Sequence, residues 1–277
     1  MKTCYALLLG MISLTTWAQT PLASRYAAAV ERYYAALEHN RPDSALYYLG
    51  EALEIWPQSP TNYLLYGLQA DLLLQRKDTV PALSALSKGL LLRPNEASLL
   101  LKRAELLLLQ HKYTAALADY DNLLLQSPNH EPALYNRALV KLALGLLEGA
   151  QADLESIVKH NDKAYQPRLM IAEVLLRKGA DDKAEKVYNY LVNTYPSIPE
   201  AYRRRAALYL QQKRKALAAA DVYKIFELGK NIGYRDYLLR GRLALLEGDK
   251  VTAARDFRMA QSLGAPAAEL KAMEQQP

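Results

Sequence analysis

Apolar residues along this chain recur at steps of three and four, in blocks parted by short polar breaks. That is the period of a helix burying one stripe. The stretch from Ala97 to Pro128 shows the pattern clearly. Leu99, Leu100, Leu101, Ala104 and Leu106 to Leu109 make one block, and Gln110-His111-Lys112 break it. Tyr113, Ala116, Tyr120 and Leu123 make a second block, which stops at Pro128. The spacing predicts two helices joined by a tight turn. In three other stretches the break holds a glycine, Gly145, Gly179 or Gly248. Glycine enters the left-handed conformation at a helix end without a steric penalty. Pro57, Pro94, Pro128 and Pro196 mark the ends of second helices, because proline cannot continue the hydrogen-bond ladder.

The blocks are locked to one period. Ala70, Ala104, Ala138, Ala172 and Ala206 are 34 residues apart, and so are Ala82, Ala116, Ala150, Ala184 and Ala218. A large residue follows the second alanine at four steps: Leu86, Tyr120, Leu154, Tyr188 and Val222. Three steps further stand Gly89, Leu123, Ile157, Leu191 and Ile225. The same ruler fits Tyr33, Ala45, Leu49 and Ala52 before them, and Gly241, Ala253, Phe257 and Ala260 after them. Seven units result, at about 26–59, 63–96, 97–130, 131–164, 165–198, 199–232 and 234–267. A fixed period of this kind is the signature of a stacked array. Small residues let the helices of a hairpin approach, and the large residue fills the gap to the next hairpin. Asp162, Lys230 and Ala265 replace the terminal proline, so those helix ends are expected to run on or fray. Extra residues at Pro60 to Asn62 and near Gly233 imply small changes of stacking angle. The chain has 20 tyrosines and two phenylalanines, so tyrosine fills several large slots, and each buried ring needs a partner for its hydroxyl.

These residues resemble the tetratricopeptide repeat (TPR) family, and the resemblance covers almost the whole chain after its start. It implies an all-α fold, a right-handed superhelical α-solenoid of about seven helix hairpins. It also implies that the first helix of each hairpin lines a concave groove. The chaperone-tail clamp of this family uses inward lysine and asparagine. Those residues are missing from the first units, so chaperone-tail binding is not expected.

The ends of the chain differ. Lys2, the apolar stretch Tyr5 to Leu14, and small residues at Thr16 and Ala18 fit a signal peptide over 1–18, cleaved before Gln19. A short lead, 19–25, then precedes the array, and 268–277 form a capping segment or tail. The apolar stretch is too short to span a bilayer, and no later segment is a transmembrane candidate. Cys4, the one cysteine, precedes the apolar core, so the mature chain carries no thiol and no disulfide. An export signal before a cysteine-free chain points to the bacterial periplasm. Net charge is +6, and its distribution is uneven. From Pro199 onward 15 basic and nine acidic residues leave +6, while Gln19 to Ile198 carry −1. Arg203-Arg204-Arg205 and Lys213-Arg214-Lys215 are the densest points. They read as a solvated face or as a patch for an anionic partner, such as an acidic protein, a lipid surface or a cell-wall polymer. Export argues against nucleic acid.

No catalytic constellation stands out, and neither a metal site nor a cofactor is expected. His39, His111, His130 and His160 form no zinc spacing. Ser156 and His160 share a helix face without an oxyanion site beside them. Asp181-Asp182 opens a helix, where carboxylates suit the dipole. The inward face of each first helix lies three residues before, and one and four after, the small residue. Tyr34, Asp71, Leu101, Glu105, Tyr135, Leu139, Leu169, Glu173, Arg203 and Arg242 are therefore the candidate partner-binding residues. Leu108, Leu142, Leu176 and Leu210 lie deeper and read as packing. Acidic points precede basic ones along this lining, with apolar anchors between, which suits an extended or helical peptide. The expected function is a non-enzymatic protein–protein interaction scaffold, with an anionic polymer or surface as the alternative partner.

Overall fold

The computed structural model describes residues 21–275, which form 15 α-helices and no strand. The expected signal segment and its cleavage position lie outside the described residues. The fold is an all-α solenoid of stacked helix hairpins. Two compact units divide the chain, the first ending at Leu144 and the second beginning at Gly145.

The first unit holds α1 (Pro21–Glu38), α2 (Pro42–Ile55), α3 (Asn62–Gln75), α4 (Thr79–Leu92), α5 (Ala97–Leu109), α6 (Tyr113–Gln126) and α7 (Glu131–Ala143). Each helix packs on its neighbours in sequence, and α5 also touches α7, which sets those first helices side by side. Residues 21–25, expected as a lead, belong to α1, and Ala23 among them is buried. The second unit holds α8 (Leu147–His160), α9 (Tyr165–Arg177), α10 (Asp181–Thr194), α11 (Pro199–Gln211), α12 (Lys215–Leu228), α13 (Tyr234–Glu247), α14 (Lys250–Ser262) and α15 (Ala267–Gln275). Neighbours in sequence again pack together, and α11 touches α13. Helix α15 lies on α13 and α14, with Leu270 against the cluster of Leu238, Ala253, Phe257 and Ala260.

The repeated small positions are the core. Ala70, Ala104, Ala138, Ala172 and Ala206 are wholly buried, and so are Ala82, Ala116, Ala150, Ala184 and Ala218. The large residues of the ruler, from Leu49 to Phe257, are buried beside them. Close packing here tolerates little change in volume. A Cβ on Gly89 would stand 2.7 Å from the side chain of Leu99, and one on Gly241 would stand 2.8 Å from the Phe257 ring.

One turn recurs after every first helix. Asn40, Lys77, His111, Gly145, Gly179, Lys213 and Gly248 all have φ between 54° and 87°. The next residue's N–H reaches back to the carbonyl five before it, as Lys112 does to Leu107 at 2.9 Å and Arg214 to Tyr209 at 2.8 Å. These are Schellman closures, which satisfy carbonyls the helix leaves open. The joints after second helices repeat too. Trp56, Arg93, Ser127, Asn161 and Tyr195 end their helices with φ between −138° and −127°. Asp162 therefore does not let its helix run on or fray: α8 stops at His160, as its proline-terminated counterparts stop. Neither does Lys230, because α12 stops at Leu228 on Gly229 in the left-handed conformation.

Both departures from the period are held by buried polar groups. At the first, the wholly buried Asn62 accepts the Tyr26 hydroxyl at 2.9 Å and donates to the carbonyls of Trp56 and Pro57. At the second, Arg203 donates to both oxygens of buried Asp236 at 2.6 and 3.1 Å, and to the carbonyl of Asn231 at 3.1 Å. Asp236 in turn accepts the Gly233 N–H at 2.9 Å at the start of α13.

Candidate partner-binding surface

In the first unit the candidate residues Tyr34, Asp71, Leu101, Glu105, Tyr135 and Leu139 are all partly buried on first helices. Their charges are not free. Lys102 donates to both oxygens of Asp71 at 2.6 and 2.7 Å. Asn136 donates to Glu105 at 3.5 Å. Burial pushes the Glu105 carboxyl up, against the smaller pull of His130 and Lys102. The residues left to offer contact are apolar: Leu101 on α5, and Tyr135 and Leu139 on α7.

The second unit follows the same rule further. Arg204 lies 3.7 Å from Glu173 and 2.8 Å from Glu200, and Arg177 lies 3.4 Å from Glu173. Asp71, Glu105 and Glu173 thus each meet a donor 31 residues later, on the next first helix. This ladder links hairpins, so the acidic points expected to contact a partner already have donors within the chain. Leu169 is only 6% exposed and belongs to the core, as do Leu142 and Leu210, whereas Leu108 and Leu176 are partly buried. Arg203 is the staple of the irregular joint. Arg242, on α13, makes no ion pair among the described residues.

The histidines are bound locally. His39 and His160 each bond through Nδ1 to the carbonyl four residues before, at 2.7 and 2.8 Å, so His160 engages the Ser156 backbone. His111 pairs with the Tyr113 hydroxyl, and His130 Nδ1 accepts the Ala133 N–H at the start of α7. Among the described residues no three His, Cys, Asp or Glu side chains gather to hold a metal ion. No described helix is long and apolar enough to cross a membrane.

A profile of the tetratricopeptide repeat matches residues 135–197. A tetratricopeptide repeat protein from Parabacteroides merdae is 29% identical over 90% of this chain and 97% of its own, with a TM-score of 0.67. The chain is a tetratricopeptide-repeat protein. Pseudomonas aeruginosa pilF shares the fold at 20% identity, over 76% of this chain and 96% of its own, with a TM-score of 0.61. MamA from Desulfovibrio magneticus does so at 19% identity, over 61% and 94%, with a TM-score of 0.53. Among curated proteins, none matches the sequence.

This TPR chain adds a motif that sequence reasoning passed over. Arg103, Arg205 and Arg240 each grip an aspartate 16 residues later, Asp119, Asp221 and Asp256, through Nε and Nη2 at 2.6 to 2.8 Å. All three aspartates are buried. The signal was available: arginine stands just before the small slot and aspartate 15 after it, and Arg137 and Asp153 repeat the spacing. The motif bears on the expected anionic patch, because it occupies Arg205. Arg203 holds Asp236, Arg204 holds Glu200, and Arg214 holds Glu185 at 2.6 Å. Of the patch only Lys213 and Lys215 are exposed and carry no ion pair among the described residues.

Tyrosine's hydroxyls are satisfied unevenly. Tyr209 donates to Glu185 at 3.0 Å. The buried hydroxyls of Tyr120 and Tyr188 make no hydrogen bond within 3.5 Å among the described residues. Burial pushes both well above the usual phenol range, and Glu105 and Glu173 nearby push the same way.

Proposed function

We propose that the protein is a non-enzymatic scaffold of the bacterial envelope that captures a peptide or a segment of a partner protein on its first-helix faces. The TPR fold supports protein–protein interaction in general. The observation that carries the finer reading is the group Leu101, Tyr135 and Leu139. These apolar side chains remain partly exposed on two adjacent first helices, where Lys102, Arg103 and Arg137 are paired with aspartates of other helices and Glu105 accepts from Asn136. Such a surface offers anchors for apolar side chains without a charge to be matched. Export rests on the first 18 residues, and cell fractionation with mature-terminus sequencing tests it.

The capture experiment uses Tyr135→Ala with Leu139→Ala. Crosslinked co-purification from the native envelope is expected to lose partners, while helicity and melting stay almost unchanged. Undiminished capture would refute the assignment of this face. The alternative, an anionic polymer or lipid surface bound by the basic third, keeps Lys213 and Lys215 in its favour. It loses Arg203, Arg204, Arg205 and Arg214 to internal pairs. Salt separates the two, because anionic-surface binding collapses as ionic strength rises and apolar capture persists.

A further inference from the structure

The first hairpin breaks the arginine–aspartate motif. Four hairpins carry both members of the spacing, and two carry neither: Gln69 stands with Ala85, and Ile171 with Val187. The first hairpin keeps the arginine, Arg32, and has Tyr48 where the aspartate would stand. Arg103, Arg205 and Arg240 use Nε and Nη2 on their aspartates. Arg32 instead meets Glu51 through Nη1 alone, 3.1 Å from each oxygen, with its guanidinium 5.7 Å from the centre of the Tyr48 ring. Its Nε and Nη2 make no hydrogen bond among the described residues. A cavity of about 260 Å³ lies there between α1 and α2, lined by Arg32, His39, Arg41, Ser44 and Tyr48 with two alanines. The other polar groups of its wall are uncommitted as well. Among the described residues the Arg41 guanidinium has no ion pair, and the Ser44 and Tyr48 hydroxyls have no hydrogen bond. His39 spends Nδ1 on the Ala35 carbonyl, which leaves Nε2. No acidic side chain belongs to the wall. Asp43, next to Ser44 in sequence, is held by Arg76 at 2.8 Å.

We propose that this cavity binds a phosphate group, carried by a small organic phosphate or present as the free ion. The other hairpins answer their arginine with a carboxylate of their own, and here that anion is left to come from outside. A guanidinium fork suits carboxylate and phosphate alike. The rest of the wall decides between them. A second guanidinium and two hydroxyls offer more donors than the two oxygens of a carboxylate can meet, whereas a phosphate presents three strong acceptor oxygens. Size points the same way, because a water's share of the liquid is about 30 Å³ and the cavity has room for roughly eight. The site shares no residue with Leu101, Tyr135 and Leu139, and the inference does not rest on the groove reading.

The test titrates the full chain with inorganic phosphate, glucose 6-phosphate and acetate, following amide NMR shifts and the heat of binding. Phosphate is expected to move the amides of Arg32, His39, Arg41 and Ser44 in a saturable way, and acetate to bind far more weakly. Tighter binding of glucose 6-phosphate would identify an organic phosphate as the ligand; equal or weaker binding would identify the free ion. Two variants locate the site. Arg41→Gln should weaken phosphate by roughly tenfold or more with an unchanged melting temperature. Tyr48→Asp restores the aspartate of the other hairpins, so it should pair with Arg32, weaken phosphate by at least as much, and melt no lower than the native chain. Lys213→Gln with Lys215→Gln removes two exposed cations elsewhere and should leave phosphate binding as it was. Absence of saturable binding to the native chain would overturn the proposal. So would undiminished binding to Arg41→Gln, acetate binding as tightly as phosphate, or a loss in the double lysine variant equal to that in Arg41→Gln. Arg41→Gln keeps the test decisive if Tyr48→Asp fails to fold.

Discussion

At position 241 the chain carries glycine where the five preceding units carry alanine, and at 257 it carries phenylalanine where they carry leucine, tyrosine or valine. The two changes belong together, because a Cβ at 241 would sit 2.8 Å from the ring. Gly241→Ala is expected to destabilise by about 1–3 kcal/mol through overpacking, with most of the loss restored by Phe257→Leu. Thermal or denaturant melts of the four proteins in that cycle measure it, and additive losses would disprove the coupling. The Arg205–Asp221 pair is a second case of residue-scale dependence. Burial pushes the Asp221 carboxyl up beyond the downward pull of Arg205, and Arg205 stays high only because Asp221 outweighs its own desolvation. Charge is therefore hard to keep on both partners, and the pair adds little net stability over an apolar pair of similar size. Its removal from one side is another matter. Asp221→Ala should destabilise by about 3 kcal/mol or more, while Arg205→Met with Asp221→Leu should be nearly neutral. Equal losses in the two would show that the charges themselves stabilise the fold.

The element that repeats most faithfully is the turn after each first helix. It demands a left-handed residue, and the chain meets that demand with glycine at three turns and with asparagine, lysine or histidine at the other four. An L-residue bearing a Cβ pays roughly 1–2 kcal/mol there. Lys213→Gly should raise stability by about 0.5–1 kcal/mol, after the unfolded chain's extra freedom is subtracted. Gly179→Ala should lower it on the same scale. Melts of both variants check the pair, and a fall for Lys213→Gly or a rise for Gly179→Ala would contradict the turn geometry. The joints behave differently. Their stop is set by the extended residue before the proline position, so Asp162 serves as well as proline and the helix ends where its counterparts end. Proline fits that site because the residue preceding a proline is already biased toward extended backbone.

On the scale of the whole molecule, charge is organised along the array instead of being offered to solvent. Donors 31 residues after Asp71, Glu105 and Glu173 tie adjacent first helices, and the 16-residue Arg–Asp pairs tie the two helices of single hairpins. The positive excess of the last third therefore does not sit on Arg203, Arg205 or Arg240, and is left to residues such as the exposed Lys213 and Lys215. Partner capture through Leu101, Tyr135 and Leu139 should accordingly persist at high salt. Each unit stabilises itself through contacts between neighbours, as expected of a fold assembled by repetition.

The sequence by itself determined the repeat, the helices and the core. A small residue, an alanine 12 later and a large residue four beyond recur often enough that only a stacked helical array buries all of them. The family followed from the same register. Part of the site was legible as well, since period and register place Leu101, Tyr135, Leu139 and Arg242 on first helices. What the sequence could not show was which of those charges already had partners. Asp71 and Lys102, or Arg203 and Asp236, are more than 30 residues apart, and only the packing of one hairpin on the next brings them within 3 Å. Periodicity assigns a residue to a face. Tertiary contact decides whether its charge is internally satisfied, and so which side chains are left to meet something else.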